Sequence, residues 1–221
     1  MKLILSGGGS GKKSEILDKL FAEMISKKKP LLYIPIAIDQ VKHPLPDCLK
    51  WLKGTFDNLG IKNYEMWSEK EIIENKNYDA TRFGGIYIGG GNTYYLLNRL
   101  NDAGFFKVIK SALDNNVPIY GGSAGAIIFG KSILTSSDEN KVALKKFGGQ
   151  NILNGLNIAC HYKTENDEKL KTLSKNIGDI IALPETSGIL IEDNKCSIIG
   201  KDNGFTFKKS IKSEVEIGRQ I

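Results

Sequence analysis

The sequence is poor in the residues that staple small extracellular domains and metal sites. Only Cys48, Cys160 and Cys196 are cysteines among 221 residues, far apart and with no CxxC pair. An odd, scattered set of this kind argues against a disulfide framework and a structural zinc site. A reducing cytoplasm is therefore the expected compartment. Long apolar runs are also missing. The stretch Leu31-Leu32-Tyr33-Ile34-Pro35-Ile36-Ala37 is among the longest, and Met1-Lys2-Leu3-Ile4-Leu5 meets Ser6-Gly7-Gly8 too early for a signal-peptide core. Neither export nor membrane spanning is expected. Histidine is scarce, with only His43 and His161, which narrows the choice of any general base.

No block of one charge sign stands out. Thirty-one Lys plus Arg against twenty-five Asp plus Glu give a net +6, spread as lysines over helix-like segments. Nucleic acid is therefore not the expected partner. The densest basic run, Lys27-Lys28-Lys29, follows Ile16, Leu17, Leu20, Phe21, Met24 and Ile25, whose spacing marks one apolar helix face. Cations in a last helical turn complement the helix dipole.

What is present is a core. At 41% apolar and 25% charged the chain is too hydrophobic for disorder and long enough for one domain spanning residues 1–221. Short apolar runs at 3–5, 31–37, 64–67, 85–88 and 117–120 alternate with helical periodicity at 14–25, 48–59, 68–74, 93–100 and 105–115. This rhythm predicts a parallel sheet with helices on both faces, a three-layer α/β sandwich. Ser68 with Glu71 makes a capping box. Beyond residue 133 the rhythm loosens, leaving a helix at 170–177, a strand at 180–183 and a hairpin from 189–191 to 197–199.

Three glycine clusters punctuate this pattern. In Val117-Pro118-Ile119-Tyr120-Gly121-Gly122-Ser123-Ala124-Gly125-Ala126 an apolar strand enters Gly-x-Ser-x-Gly and then a small-residue helix. That is the setting of a nucleophile elbow, in which Ser123 stands at a strand end and the amide of Ala124 faces developing negative charge. A plain tight turn or a phosphate cradle would use similar glycines. The cluster Gly84-Gly85-Ile86-Tyr87-Ile88-Gly89-Gly90-Gly91-Asn92-Thr93 ends another strand. Gly90 or its neighbour Gly89 can supply a second oxyanion amide there, and Asn92 or Thr93 can cap the next helix. The first cluster, Ser6-Gly7-Gly8-Gly9-Ser10-Gly11-Lys12-Lys13-Ser14, fails the GxxxxGK[ST] template because Ser6 and Lys13 stand where glycine and Ser or Thr are required. It reads as the first strand-to-helix turn, with an anion site as the alternative.

A serine nucleophile needs a base. His43 lies in a proline-stiffened loop, whereas His161 follows the apolar run Ile158-Ala159-Cys160 and so stands at a strand end. His161 is the preferred base. For the acid that orients it, Glu185 ends an apolar strand and Asp138 sits in a polar loop; the strand end favours Glu185.

Taken together, the residues 88–93, Gly122-Ser123-Ala124-Gly125-Ala126, Thr135-Ser136-Ser137-Asp138, His161 and Leu183-Pro184-Glu185 resemble those of the dipeptidase E (aspartyl dipeptidase) and cyanophycinase-like serine peptidases. The resemblance covers most of the chain in order. It implies a class I glutamine-amidotransferase-like, flavodoxin-like fold. It also implies Ser123 as nucleophile, His161 as base, Gly90 and Ala124 as oxyanion donors, and either Asp138 or Glu185 as the third member. It further implies a short peptide substrate with a free amino terminus, no cofactor and no metal, and it leaves room for a homodimer. The aspartyl-specific branch carries arginines shortly after its histidine, where this chain reads Tyr162-Lys163-Thr164-Glu165-Asn166-Asp167-Glu168-Lys169. A lysine lacks the bidentate fork that suits a carboxylate. The other readings are an esterase or amidase on the same serine, and a non-catalytic module gripping an anion or nucleotide.

Overall fold

Sheet and helices alternate because the apolar positions alternate. The structure, a computed structural model, describes residues 1–75, 78–193 and 195–221. Its main sheet holds β1 (Lys2–Ser6), β2 (Leu31–Ile34), β3 (Tyr64–Met66), β4 (Gly85–Ile88) and β5 (Ile119–Gly122), all parallel to their neighbours in this group. Two later strands, β8 (Ser187–Glu192) and β9 (Lys195–Gly200), extend it antiparallel beyond β1, giving the seven-stranded order β3-β2-β4-β5-β1-β8-β9. Residue 194, between β8 and β9 in the sequence, lies outside the described residues. Flavodoxin-like sheets run 2-1-3-4-5; counted from β2 the same order holds here, with the chain's first strand in the fifth place.

Along these strands every second side chain faces the other way, so one sequence builds two cores. Leu32, Ile34, Ile86, Ile88 and Ile119 face the helices α4 (Thr93–Asp102) and α5 (Phe106–Asp114). Ile4, Leu31, Tyr33, Tyr87 and Tyr120 face α1 (Glu15–Met24) and α2 (Leu45–Phe56). Both faces are therefore covered, and the strands read as nearly continuous apolar runs. The expected strand at 31–37 stops at Ile34, because Pro35 has no amide to continue the ladder. The expected capping box forms at α3 (Glu69–Glu74), where the Ser68 amide donates to Glu71 at 2.8 Å.

The last third carries a second, four-stranded sheet that the rhythm of the sequence did not disclose. It has the order β11-β10-β7-β6, built from β6 (Asn157–Ala159), β7 (Ile180–Ala182), β10 (Gly204–Lys208) and β11 (Ile211–Val215), and α7 (Asp167–Ile177) packs against it. The two sheets meet beside the carboxyl ends of β1 and β5. No helix among the described residues is long and apolar enough to cross a membrane.

One buried acid sits in this frame at a cost. Asp18, on α1, is 5% exposed and accepts a 2.6 Å bond from the Ser14 hydroxyl. Burial nevertheless outweighs that bond and pushes its carboxyl up to about 6. The unfolded chain releases this proton near the ordinary carboxylate value and the folded chain only near pH 6, so stability falls as pH rises through that window and stays reduced above it. The difference of about two pH units corresponds to about 3 kcal/mol. Asp18→Asn should remove that slope and raise the melting temperature at pH 8 by on the order of 5 °C, with little change at pH 4. Parallel pH slopes for variant and wild type in calorimetry would refute it.

Candidate active site

Ser123 stands between β5 and α6 (Ala124–Ile127) with φ 51° and ψ −108°, a left-handed conformation that costs a side-chain-bearing residue energy. Surrounding bonds hold it there. Its amide donates to the Ser6 carbonyl at 3.2 Å, and its own carbonyl accepts from Ala126 and Ile127 at 2.8 and 2.9 Å. The helix that follows is pressed against β4, so that a Cβ on Gly125 would lie 3.0 Å from the Ile88 carbonyl carbon. The elbow therefore requires the small residues that mark it in the sequence.

The Ser123 Oγ lies 2.8 Å from His161 Nε2. His161 follows β6, also at positive φ, and its amide donates to the Gly7 carbonyl at 2.8 Å. On the other side of the ring, Nδ1 lies 2.9 Å from Glu185 Oε1. This arrangement suits the tautomer in which Nδ1–H donates to the carboxylate and Nε2 accepts from the serine hydroxyl. Glu185, just beyond β7, accepts a second charged bond at Oε2 from the Lys13 ammonium. Lys13, followed by His161, holds the Glu185 carboxyl below its ordinary range.

The remaining candidates separate by what their polar groups already do. Among the described residues the amides of Gly90 and Ala124 have no protein acceptor, and a Cβ on Gly90 would lie 3.2 Å from Ser123 Cβ. Gly89, by contrast, donates its amide to the Ile34 carbonyl at 3.0 Å. Asn92 caps α4 by accepting from the Tyr95 amide at 2.9 Å, and its Nδ2 donates to the Glu139 carbonyl. Asp138 accepts from the Thr93 amide, the Thr93 hydroxyl and the Ser136 hydroxyl at 2.8, 2.7 and 2.7 Å; it is not brought to His161. His43 lines a cavity that also reaches Ser123 but is not the imidazole bonded to it.

Sequence reasoning missed the part played by the first glycine cluster. The loop after β1 runs directly beneath Ser123 and His161. A Cβ on Gly8, at φ 102°, would lie 2.5 Å from His161 Nε2 and 3.0 Å from Ser123 Cβ. The signal for it is three consecutive glycines, Gly7-Gly8-Gly9, ahead of the pair Lys12-Lys13 in a segment that does not fit the P-loop template. Gly8→Ala should therefore push the imidazole off the serine hydroxyl. A misplacement near 1 Å costs roughly 10²-fold in rate, so kcat should fall about that much; a loss under threefold in steady-state kinetics would show that the ring can yield.

Two cavities flank Ser123. One, of about 580 Å³, lies toward α2; the other, of about 380 Å³, is lined by His161, Thr93, Asp138 and Lys169. Lys163 pairs instead with Glu165 at 3.7 Å. The Cys160 thiol lines the second cavity, but burial pushes it up to about 12, so it stays protonated beside the serine. Among the described residues no three His, Cys, Asp or Glu side chains converge as a metal site requires.

The chain matches peptidase family S51 over residues 3–199. It is 29% identical over 200 residues to Peptidase E of Haemophilus influenzae (strain PittGG), covering 83% of this chain and 80% of the relative. It is 27% identical over 195 residues to Peptidase E of Nostoc sp. (strain PCC 7120), covering 83% and 77%. The fold is similar to that of a putative peptidase E protein from Listeria monocytogenes EGD-e, with a TM-score of 0.70 at 22% identity over 91% of this chain and 98% of the other. A peptidase from an acI-B1 Actinobacterium gives 0.72 at 18% identity over 100% and 96%. At such identities the two structures speak to the fold alone.

Proposed function

Since the chain belongs to peptidase family S51 and is a peptidase, we propose that it is a serine peptidase hydrolysing short peptides with a free amino terminus through an acyl-enzyme on Ser123. The observation that carries this reading is the unbroken relay from Ser123 Oγ to His161 Nε2 at 2.8 Å and from His161 Nδ1 to Glu185 at 2.9 Å. In this reading His161 Nε2 takes the hydroxyl proton as Oγ attacks the scissile carbonyl, and Glu185 stabilises the imidazolium. The oxyanion is received by the amides of Gly90 and Ala124. The imidazolium then gives its proton to the leaving amine, an ester to Ser123 remains, and water attacks it with His161 again as base. No cofactor takes part in this scheme.

Two open cavities on either side of Ser123, each of side-chain to dipeptide size, support a short substrate. The parallel core with β1 in its fifth place and β8 with β9 at its edge supports a class I glutamine-amidotransferase-like sandwich with a C-terminal β-hairpin. Three unpaired cysteines suit a cytoplasmic setting. The test is a fluorophosphonate label followed by a dipeptide and β-aspartyl-peptide panel read by mass spectrometry. Stoichiometric modification of Ser123 with peptide cleavage is the expected result. Labelling with ester or amide hydrolysis but no peptide cleavage would move the assignment to an esterase or amidase, and an inert Ser123 would overturn it.

A further inference from the structure

The larger cavity beside Ser123 has a composition that the chain as a whole does not. Although the sequence carries thirty-one Lys plus Arg and a net +6, no Lys or Arg lines this cavity, whereas the carboxylates Asp39 and Asp47 do. Its wall is aromatic. Trp51 lies 5.9 Å from Tyr87 and 6.4 Å from Tyr33, ring centre to ring centre, and Tyr33 and Tyr87 are 5.7 Å apart in an edge contact. Asp47 and Trp51 are one helical turn apart on α2, so one element presents a carboxylate and an indole to the same space.

Two further groups point to an occupant. Tyr33 and Tyr87 are 1% and 5% exposed, and among the described residues neither hydroxyl is bonded to a protein group, so both remain open to this cavity. They lie against Gly89 and Gly122 on the cavity floor, each hydroxyl within 3.5 Å of where that glycine's Cβ would stand. A hydroxyl that opens onto the cavity in this way can bond a group that enters it. Trp51, for its part, is 40% exposed, leaving an indole open to contact. Among the described residues Asp47 forms no ion pair, and the Asp39 carboxylate accepts only the local bond from the Val41 amide at 3.1 Å.

From the serine-peptidase reading, on which this step rests, we propose that the cavity is a substrate subsite for a lysyl or arginyl side chain adjoining the scissile bond. The apolar stem of such a side chain lies along Tyr33, Tyr87 and Trp51, as long cationic residues do on aromatic surfaces. Its charged head meets Asp39 and Asp47 at the mouth. An acidic side chain would meet those same carboxylates and find no Lys or Arg in the wall, where His43 is the one imidazole, so aspartate is disfavoured in this cavity. A purely apolar side chain would fill the aromatic wall and leave both carboxylates unused.

The test separates this proposal from the peptidase reading beneath it. Dipeptides with Lys, Arg, norleucine, Asp or Ala at each of the two positions are assayed at pH 8, and their binding to Ser123→Ala is measured by calorimetry. At one of the two positions, kcat/KM for Lys or Arg should exceed that for norleucine at least tenfold, with Asp lowest, and binding should follow the same order by at least fivefold. Asp47→Asn should cut the lysine-to-norleucine ratio about tenfold, and Trp51→Ala should weaken lysine and norleucine peptides together. Turnover with no position preferring a basic residue, or an unchanged ratio in Asp47→Asn, would overturn the subsite and leave the peptidase reading standing. A calorimetric preference for lysine with no cleavage of any peptide and no fluorophosphonate label would uphold the subsite and overturn the serine chemistry. Equal binding of lysine and norleucine peptides by Ser123→Ala would overturn the subsite whatever the turnover.

Discussion

Ser123→Ala should lower kcat by roughly 10⁴–10⁶-fold, because it deletes the group on which the proposed acyl-enzyme forms and leaves only binding and the oxyanion amides. The melting temperature should stay within about 2 °C of wild type, since one hydroxyl leaves a turn whose strained backbone is held by other bonds. Those bonds are the 3.2 Å contact from the Ser123 amide to Ser6 and the two amides donating to the Ser123 carbonyl. His161→Ala should cost about as much, since the 2.8 Å contact to Ser123 makes the pair a single unit. The double variant should cost little more than either alone, because residues acting as one unit are not additive. His43→Ala, whose imidazole is not bonded to Ser123, should stay within tenfold. Activity of Ser123→Ala within tenfold of wild type would defeat the assignment, and so would a larger loss from His43→Ala than from His161→Ala.

The parts of the fold that could be read in advance are those where one face of an element is buried. Leu17 and Phe21 on α1, and the alternation of Tyr87 against Ile86 and Ile88 on β4, encode period and direction directly. The second sheet escaped notice for a local reason. Its β10–β11 turn is made by Lys209 and Ser210, at φ 49° and 71°, without the glycine or asparagine that usually announces such a turn. The candidate site shows the same division. Ser123 is legible because its strained backbone demands glycine on both sides, and His161 because so few histidines compete. Glu185 and Asp138 could be ranked only by what each touches, which depends on packing between segments far apart in sequence. Lys13 lay in plain view, but its partner is 172 residues away, beyond any spacing rule.

That ranking yields the second large effect. Glu185→Gln should lower kcat by roughly 10²–10⁴-fold with the fold retained, because an amide nitrogen facing His161 Nδ1 favours the tautomer that carries its proton on Nε2, where the serine hydroxyl must donate. Asp138→Asn should change the rate less than threefold. Its carboxylate is engaged at the start of α4 by the Thr93 amide and hydroxyl and by Ser136, so its loss should appear as about 1 kcal/mol of stability, the usual worth of a helix cap. The opposite order of rates would place Asp138 in the relay and leave Glu185 as the partner of Lys13. Small losses from both would mean that a backbone carbonyl or water orients His161. The pH profile then reports on Lys13, which leads in holding the Glu185 carboxyl below its ordinary range. A lowered carboxylate stays ionised as pH falls and is lost only when pH drops through its folded value. Lys13→Met leaves the Glu185 charge to the imidazolium alone, so the acid-side loss of kcat, which sets in as the general base takes a proton, should begin at a higher pH than in wild type, whereas Lys13→Arg should keep the wild-type limb. Coincident acid limbs for Lys13→Met and wild type would show that the ammonium does not tune the carboxylate that faces His161.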